Sequence, residues 1–197
     1  MKSPYNGTTH EQWENITKQL IEKHPLAPEE IVDVVLTSWK TILETGLGKK
    51  GFKIGVDIFP KPQIMGFFLH ELIPLELAAR HPEAWRGEKK ASDKDIVYIP
   101  DDSFSIEVKT SSNPNRIFGN RSYAQGTTNG KKAKTGYYIA VNFEKFSATT
   151  KQPQVCLIRF GWLDANDWIG QKAATGQQSR LPTEVENFKL LKLYAKG

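Results

Sequence analysis

Three side chains in the middle of this chain could do chemistry together: Asp95, Glu107 and Lys109. They lie in two β-rich runs, Asp95 to Ile99 and Phe104 to Lys109, and the Pro-Asp-Asp-Ser between them is turn chemistry, so the stretch predicts a β-hairpin. If it closes symmetrically around residue 102, Asp95 falls opposite Lys109 and Val97 opposite Glu107. Glu107 and Lys109 are two apart and share one face of their strand, with Asp95 in reach of Glu107 on the diagonal. Ile96, Tyr98, Ile106 and Val108 point the other way and supply a buried face. Asp95, Glu107 and the carbonyl of Val108 make a ligand set for a hard divalent cation such as Mg²⁺, which takes one or two carboxylates and leaves its other positions to water and phosphate. Lys109 beside it would orient or deprotonate a water, or neutralise charge building at phosphorus. The chemistry is metal-assisted hydrolysis of a phosphodiester. An ordinary cross-strand charge pair would use the same residues. About one Glu-x-Lys is expected by chance at this length, and Glu88-Lys89-Lys90 is a second one, in a polar segment.

The segment after the hairpin sharpens the reading. Ser111, Ser112, Asn113, Asn115, Arg116, Asn120, Arg121 and Gln125 crowd one polar stretch. Arg pairs with guanine and Asn or Gln with adenine in the major groove, so this composition suits contacts to DNA bases. Gly126 to Gly136 adds Lys131, Lys132 and Lys134 between glycines, as suits a loop beside a phosphate backbone. Gln177, Gln178 and Arg180 form a second stretch of the same kind, and Lys89 and Lys90 are further phosphate-contact candidates.

Asp-x(11)-Glu-x-Lys on a hairpin, followed at once by Thr110-Ser111-Ser112, resembles the PD-(D/E)XK nuclease motif of type II restriction endonucleases. The segment from Lys109-Thr110-Ser111 to Phe118-Gly119-Asn120-Arg121-Ser122 also resembles restriction endonucleases, and so does the C-terminal part, with the ScaI-like group among them. The resemblance implies a restriction-endonuclease-like core, Mg²⁺, double-stranded DNA as partner, a homodimer on a palindromic site, and a prokaryotic cytoplasmic setting. The chain departs from the motif in Lys94, where the family often has Pro, and in Asp93, which shares the Asp95 face and competes for the ligand role. The helix before such a hairpin often adds an acidic residue near the metal, a place for Glu71 or Glu76.

The elements that must hold these residues are legible in outline. Thr8-x-x-Glu11 is a capping box for a helix from about 9 to 23, with Trp13, Ile16, Leu20 and Ile21 at helical spacing. Pro28 opens a second helix to Gly46, striped by Ile31, Val34, Val35, Trp39, Ile42 and Leu43, and the two are expected to pack antiparallel. A glycine and lysine turn then leads to a short strand, Ile54 to Phe59. Ile64 to Ala79 is helical, kinked or divided by Pro74. His81 to Lys94 reads as a loop, Tyr137 to Phe143 and Gln154 to Trp162 as strands, and Asp164 as the cap of a short helix. Phe188 to Tyr194 ends the chain as strand or helix. Arg159 is a sheet-edge charge or a DNA contact.

The pattern predicts an α/β fold: a central mixed β-sheet flanked by helices, in one nuclease domain over 1–197, with a helical pair at 1–46 and a catalytic core with DNA-contacting loops at 47–197. The 27 basic and 22 acidic residues leave +5, a modest bias toward anionic partners. Cys156 is alone, so no disulfide framework exists, and its apolar run predicts a buried thiol. His10, His24, His70 and His81 lack zinc-ligand spacing. No apolar signal core or membrane-length run is present. Two alternatives keep part of this reading: a structure-directed or repair nuclease with the same triad, and a non-catalytic DNA-binding domain. A third, a plain α/β domain, keeps only the fold.

Overall fold

The computed structural model describes residues 2–125, 132–172 and 176–197. Its helices are α1 (His10–Glu22), α2 (Pro28–Glu44), α3 (Pro62–Arg80) and the short α4 (Thr183–Phe188). Its strands are β1 (Gly46–Leu47), β2 (Phe52–Lys53), β3 (Trp85–Gly87), β4 (Ile96–Tyr98), β5 (Ile106–Ser111), β6 (Phe118–Asn120), β7 (Gly136–Phe143), β8 (Val155–Leu163), β9 (Ile169–Gly170), β10 (Gln178–Arg180) and β11 (Leu190–Ala195). Six of them form the central sheet in the order β11-β8-β7-β5-β4-β3. Only the β5–β7 pair is parallel, so the sheet is mixed and helices flank it, as the pattern predicts.

The middle of that sheet explains its sequence. Every residue of β7 is buried, because alternate side chains enter two different cores. Tyr137, Ile139, Val141 and Phe143 join the large core under α1, α2 and α3. Tyr138 and Ala140 point to the opposite face, into a smaller core with Ile117, Trp168, Leu181 and Val185. A strand covered on both faces reads as a continuous apolar run. The lid on the second face is α4 and a small antiparallel sheet, β6-β10-β9.

Several expectations are corrected. The capping box sits one residue on, where Gln12 Oε1 accepts from the Thr9 N–H at 3.0 Å, while Thr8 Oγ donates to the Tyr5 carbonyl. The two opening helices are not a packed pair: α1 lies on β8, β11 and α4, whereas α2 lies on α3 and the same strands. Their connector separates them, since His24 and Leu26 are themselves buried in the large core. Residues 54–59 make no strand. Gly55 is left-handed at φ +84°, and Asp57 Oδ2 accepts from the Lys53 N–H at 2.8 Å, closing a turn. Pro74 does not divide α3, because Met65, Leu69, Ile73 and Leu77 form one buried stripe across it, and that burial outweighs the roughly 3 kcal/mol a helical proline costs.

The polar segment 81–94 contains an edge strand, β3, anchored by buried Trp85. The two stretches read as loops after Lys109 supply β6, β9 and β10. Cys156 is half-buried rather than buried, on the outer part of β8. Arg159 is neither at the sheet edge nor exposed: β8 lies between β7 and β11, and the guanidinium donates to Asn142 Oδ1 at 3.1 Å. Among the described residues no helix is long and apolar enough to cross a membrane.

The hairpin register also differs. Ile96 pairs with Ile106, so the turn is centred on residue 101 and the register continued by one places Asp95 across from Glu107, not Lys109. The turn is asymmetric because Asp102–Phe104 forms a 3₁₀ turn, its start capped by Asp101 Oδ1, which accepts from the Ser103 N–H at 2.9 Å.

Candidate active site

The site forms where β4 and β5 part. They share the single pair Ile96 and Ile106, after which β5 runs on to Ser111 beside β7 alone. The next rung of the ladder is made by a side chain: Asp95 Oδ2 accepts from the Val108 N–H at 2.7 Å. That bond satisfies an otherwise open edge donor and fixes the carboxylate beside the Val108 carbonyl. Ile106 and Val108 are fully buried in the large core, which leaves Glu107 and Lys109 on the opposite face.

The charged groups converge closely. Lys109 Nζ donates to Glu107 Oε1 at 2.6 Å and to the Val108 carbonyl at 3.3 Å. Lys132 Nζ lies 2.5 Å from Asp95 Oδ1 and 3.4 Å from Glu107 Oε2, bridging the two carboxylates, with Glu88 at 3.1 Å. The Tyr123 hydroxyl donates to Glu107 Oε1. Glu107 Oε2 is buried and accepts no hydrogen bond. Burial opposes ionisation of Glu107, but the Lys109 and Lys132 ammonium groups outweigh it and hold the carboxyl below its ordinary range. Burial likewise opposes the charge on Lys132, and Glu107 and Asp95 outweigh it, so this ammonium is held above its ordinary value.

A cleft of about 1240 Å³ opens on this cluster. One wall is α3, with Gln63, Phe67, His70 and Glu71; the other is the end of β5 and the small sheet, with Ser111, Ser112, Asn113, Asn120 and Gln178. The helix can press this close because position 66 is glycine, where a Cβ would stand 2.6 Å from Thr110 Oγ1. His70 Nδ1 reaches to 3.6 Å from Asp95 Oδ2. Asn120 and Gln178 are direct partners in the β6–β10 register, which sets two amide side chains together on the cleft wall.

The remaining sequence candidates are placed variously. Asp93 is withdrawn from the cluster, accepting from Arg86 at 2.8 Å and from the Lys89 and Lys90 N–H groups. Lys89 and Lys90 are exposed on that bend. Lys94 is buried; its ammonium donates to the Ala133 carbonyl at 3.1 Å, and burial pushes its pKa down to about 8. Glu76 is engaged by Arg80 at 2.8 Å, leaving Glu71 as the α3 carboxylate on the cleft. Asn113 Oδ1 caps its own loop through the Asn115 and Arg116 N–H groups, and Asn115 itself is exposed. The Arg116 side chain turns to Glu186, at 3.3 Å, and to the Leu181 carbonyl, so it ties the loop to α4 rather than entering the cleft. Arg121 donates to the Gly176 carbonyl, and Lys134 to the Ser122 and Gln125 carbonyls. Gln125, Gln177 and Arg180 are exposed around the small sheet. Lys131 lies outside the described residues.

Sequence reasoning assigned no role to His70 or Tyr123 and read Lys132 only as a phosphate contact. For His70 the usable signal is Gly66 one turn earlier, the mark of close approach to a strand. Tyr123 carries no such signal, because its partners arrive from 14 and 16 positions away.

Comparison with known proteins places the chain among the restriction endonucleases. The family model of the ScaI restriction endonuclease matches residues 3–194. The type II restriction enzyme ScaI of Streptomyces caespitosus is 52% identical over 197 residues, spanning 99% of this chain and 86% of that enzyme. The chain belongs to the ScaI restriction endonuclease family. No solved structure matches it.

Proposed function

We propose that this type II restriction endonuclease cuts both strands of DNA at a short palindromic site, as a homodimer, with Mg²⁺ held by Asp95, Glu107 and the Val108 carbonyl. In this reading the core is of the PD-(D/E)XK kind, which the chain order of Asp95, Glu107 and Lys109 on one hairpin supports. The observation that carries it is the Lys132 ammonium bridging Asp95 and Glu107, beside a buried Glu107 Oε2 that accepts no hydrogen bond. A cation already belongs at that point, and Glu107 Oε2 meets the Lys132 ammonium at 3.4 Å without a hydrogen bond, so a metal ion would take the place of that ammonium. Among the described residues no three His, Cys, Asp or Glu side chains cluster as a complete cage. Two carboxylates and a carbonyl suit Mg²⁺, which keeps several waters and borrows substrate phosphate oxygens.

When bound, the cation supplies charge neutralisation and a more acidic water. The chain's own groups do the rest. Lys109, held 2.6 Å from Glu107, positions the attacking water and offsets charge on the phosphoryl oxygens. Glu71 stands on the cleft wall, and in this reading it assists the cation through water. Asn120 and Gln178 face the base edges, and a two-fold dimer repeats these contacts on a two-fold site. The basic residues around the small sheet, Arg121, Lys134 and Arg180 among them, follow the backbone.

Incubating the purified protein with plasmid DNA, with Mg²⁺ or with chelator, and sequencing the ends tests this. Discrete Mg²⁺-dependent bands sharing one end sequence are expected. A smear would indicate a structure-directed or nonspecific nuclease, and no cleavage a binding domain; either result overturns the reading.

A further inference from the structure

The aromatic residue beside the charged cluster comes from a different part of the fold. Tyr123 sits in the 3₁₀ turn Arg121–Ala124 that follows β6. Its hydroxyl donates to Glu107 Oε1, the same oxygen that receives Lys109 Nζ. Its ring lies under that ammonium, 4.6 Å from Nζ to the ring centre, a cation–π contact. The ring also meets Trp168 edge-on at 4.9 Å. Gly119 supports it from below, where a Cβ would come within 3.0 Å of the Tyr123 ring.

With two donors on Oε1, the Glu107 carboxylate cannot rotate freely, and Oε2 is left as the acceptor without a hydrogen bond. The same turn is part of the small sheet. Arg121 N–H donates to the Gln177 carbonyl at 2.8 Å, and Asn120, one residue before the turn, is the register partner of Gln178. One rigid unit therefore carries amides that face the cleft and the phenol that holds Glu107.

We infer that Tyr123 is a positioning residue, which sets the Glu107 carboxylate and the Lys109 ammonium from the small sheet and so links the DNA-facing surface to the reacting centre. The inference rests on the proposed catalytic roles of Glu107 and Lys109. Tyr123→Phe removes the hydroxyl and keeps the ring on Trp168 and Lys109. It should melt with the wild type and bind specific DNA, with Ca²⁺ in place of Mg²⁺, within about twofold. Its single-turnover cleavage should slow ~10–100-fold, the effect typical of groups that orient a metal ligand, and its half-saturating Mg²⁺ should rise. Mn²⁺ binding to the protein without DNA, followed by loss of the free-ion paramagnetic resonance signal, should weaken in parallel. A Phe variant with the wild-type rate, Mg²⁺ requirement and Mn²⁺ affinity would overturn the inference, provided Lys109→Ala is inactive. If Lys109→Ala also cuts normally, the catalytic assignment itself has failed, and Tyr123 loses its role with it.

Discussion

Two clusters in this molecule each join a pair of carboxylates to a lysine beside aromatic rings, and they behave in opposite ways. In the second cluster Lys189 Nζ lies 2.8 and 3.0 Å from the Asp167 oxygens and 3.2 Å from Asp164, under the rings of Tyr5 and Trp13. Asp164 also accepts from Ser3 Oγ, and Asp167 from the Asp164 N–H. These contacts all turn inward. Around Asp95, Glu107 and Lys109 a cleft opens, an oxygen accepts no hydrogen bond, and the extra cation arrives from residue 132. Burial dominates at Asp167 and raises its pKa, whereas two ammonium groups outweigh burial at Glu107. A lysine among carboxylates is therefore no mark of a site by itself; a carboxylate that lines an open cleft, as Asp95 does, is.

Paired substitutions test the contrast. Lys109→Ala or Asp95→Ala should lower cleavage by about 10²–10³-fold or more while leaving the melting temperature near that of the wild type. Lys189→Ala should do the reverse. It leaves the buried Asp167 carboxylate, with the half-buried Asp164 beside it, without its ammonium, at about 3–5 kcal/mol, so the melting temperature falls sharply while cleavage survives at low temperature. Full cutting by Lys109→Ala would erase the distinction. So would a stable Lys189→Ala protein.

A buried histidine sharpens the same point without any carboxylate. His24 Nδ1 accepts from the Leu26 N–H at 3.1 Å, and Nε2 donates to the Phe104 carbonyl at 3.0 Å, which fixes a neutral ring. Burial pushes its pKa down to about 4. The unfolded chain protonates this ring near pH 6.5, so between 6.5 and 4 the unfolded state binds more protons. Stability from this group is full above 6.5 and falls by about 3 kcal/mol as pH drops to 4. The stability lost across that range, read from denaturant titrations at each pH, should be greater for the wild type than for His24→Phe by this amount; equal losses would contradict it. The smallest effects belong to the cleft rim. Gln178→Ala should relax discrimination at one base pair by about 1–3 kcal/mol, and Arg121→Ala should weaken specific binding, both read from cleavage of variant sites.

The elements that bury a continuous or helical stripe were legible in the sequence. Trp39 and Ile42 on α2, and Tyr137 to Phe143 on β7, stand as their spacing requires, because each is decided by local pattern and one large core. The failures were short or non-local. β3, β6, β9 and β10 have two or three residues each, too few to show an alternation, and they exist because distant strands supply their partners. The convergence of Asp95, Glu107 and Lys109 was readable from a hairpin; the arrival of Lys132, Tyr123 and His70 was not, since nothing local ties them to it. Arg116 is a different case. Its composition suited DNA, but Glu186, far along the chain, claims its charge.

The 3₁₀ turn between β4 and β5 also acts as a ruler. Ser105 Oγ accepts from the Tyr98 N–H and donates to Asp102 Oδ1, so the number of residues between Asp95 and Glu107 is counted by hydrogen bonds at both ends. Side chains alternate along a strand, and one extra residue there would turn Asp95 to the opposite side of the sheet. Point changes in this turn are thus repairable, while insertions and deletions are not. The exposed turn at Gly48 to Gly51, which measures nothing, is where added length would pass unnoticed.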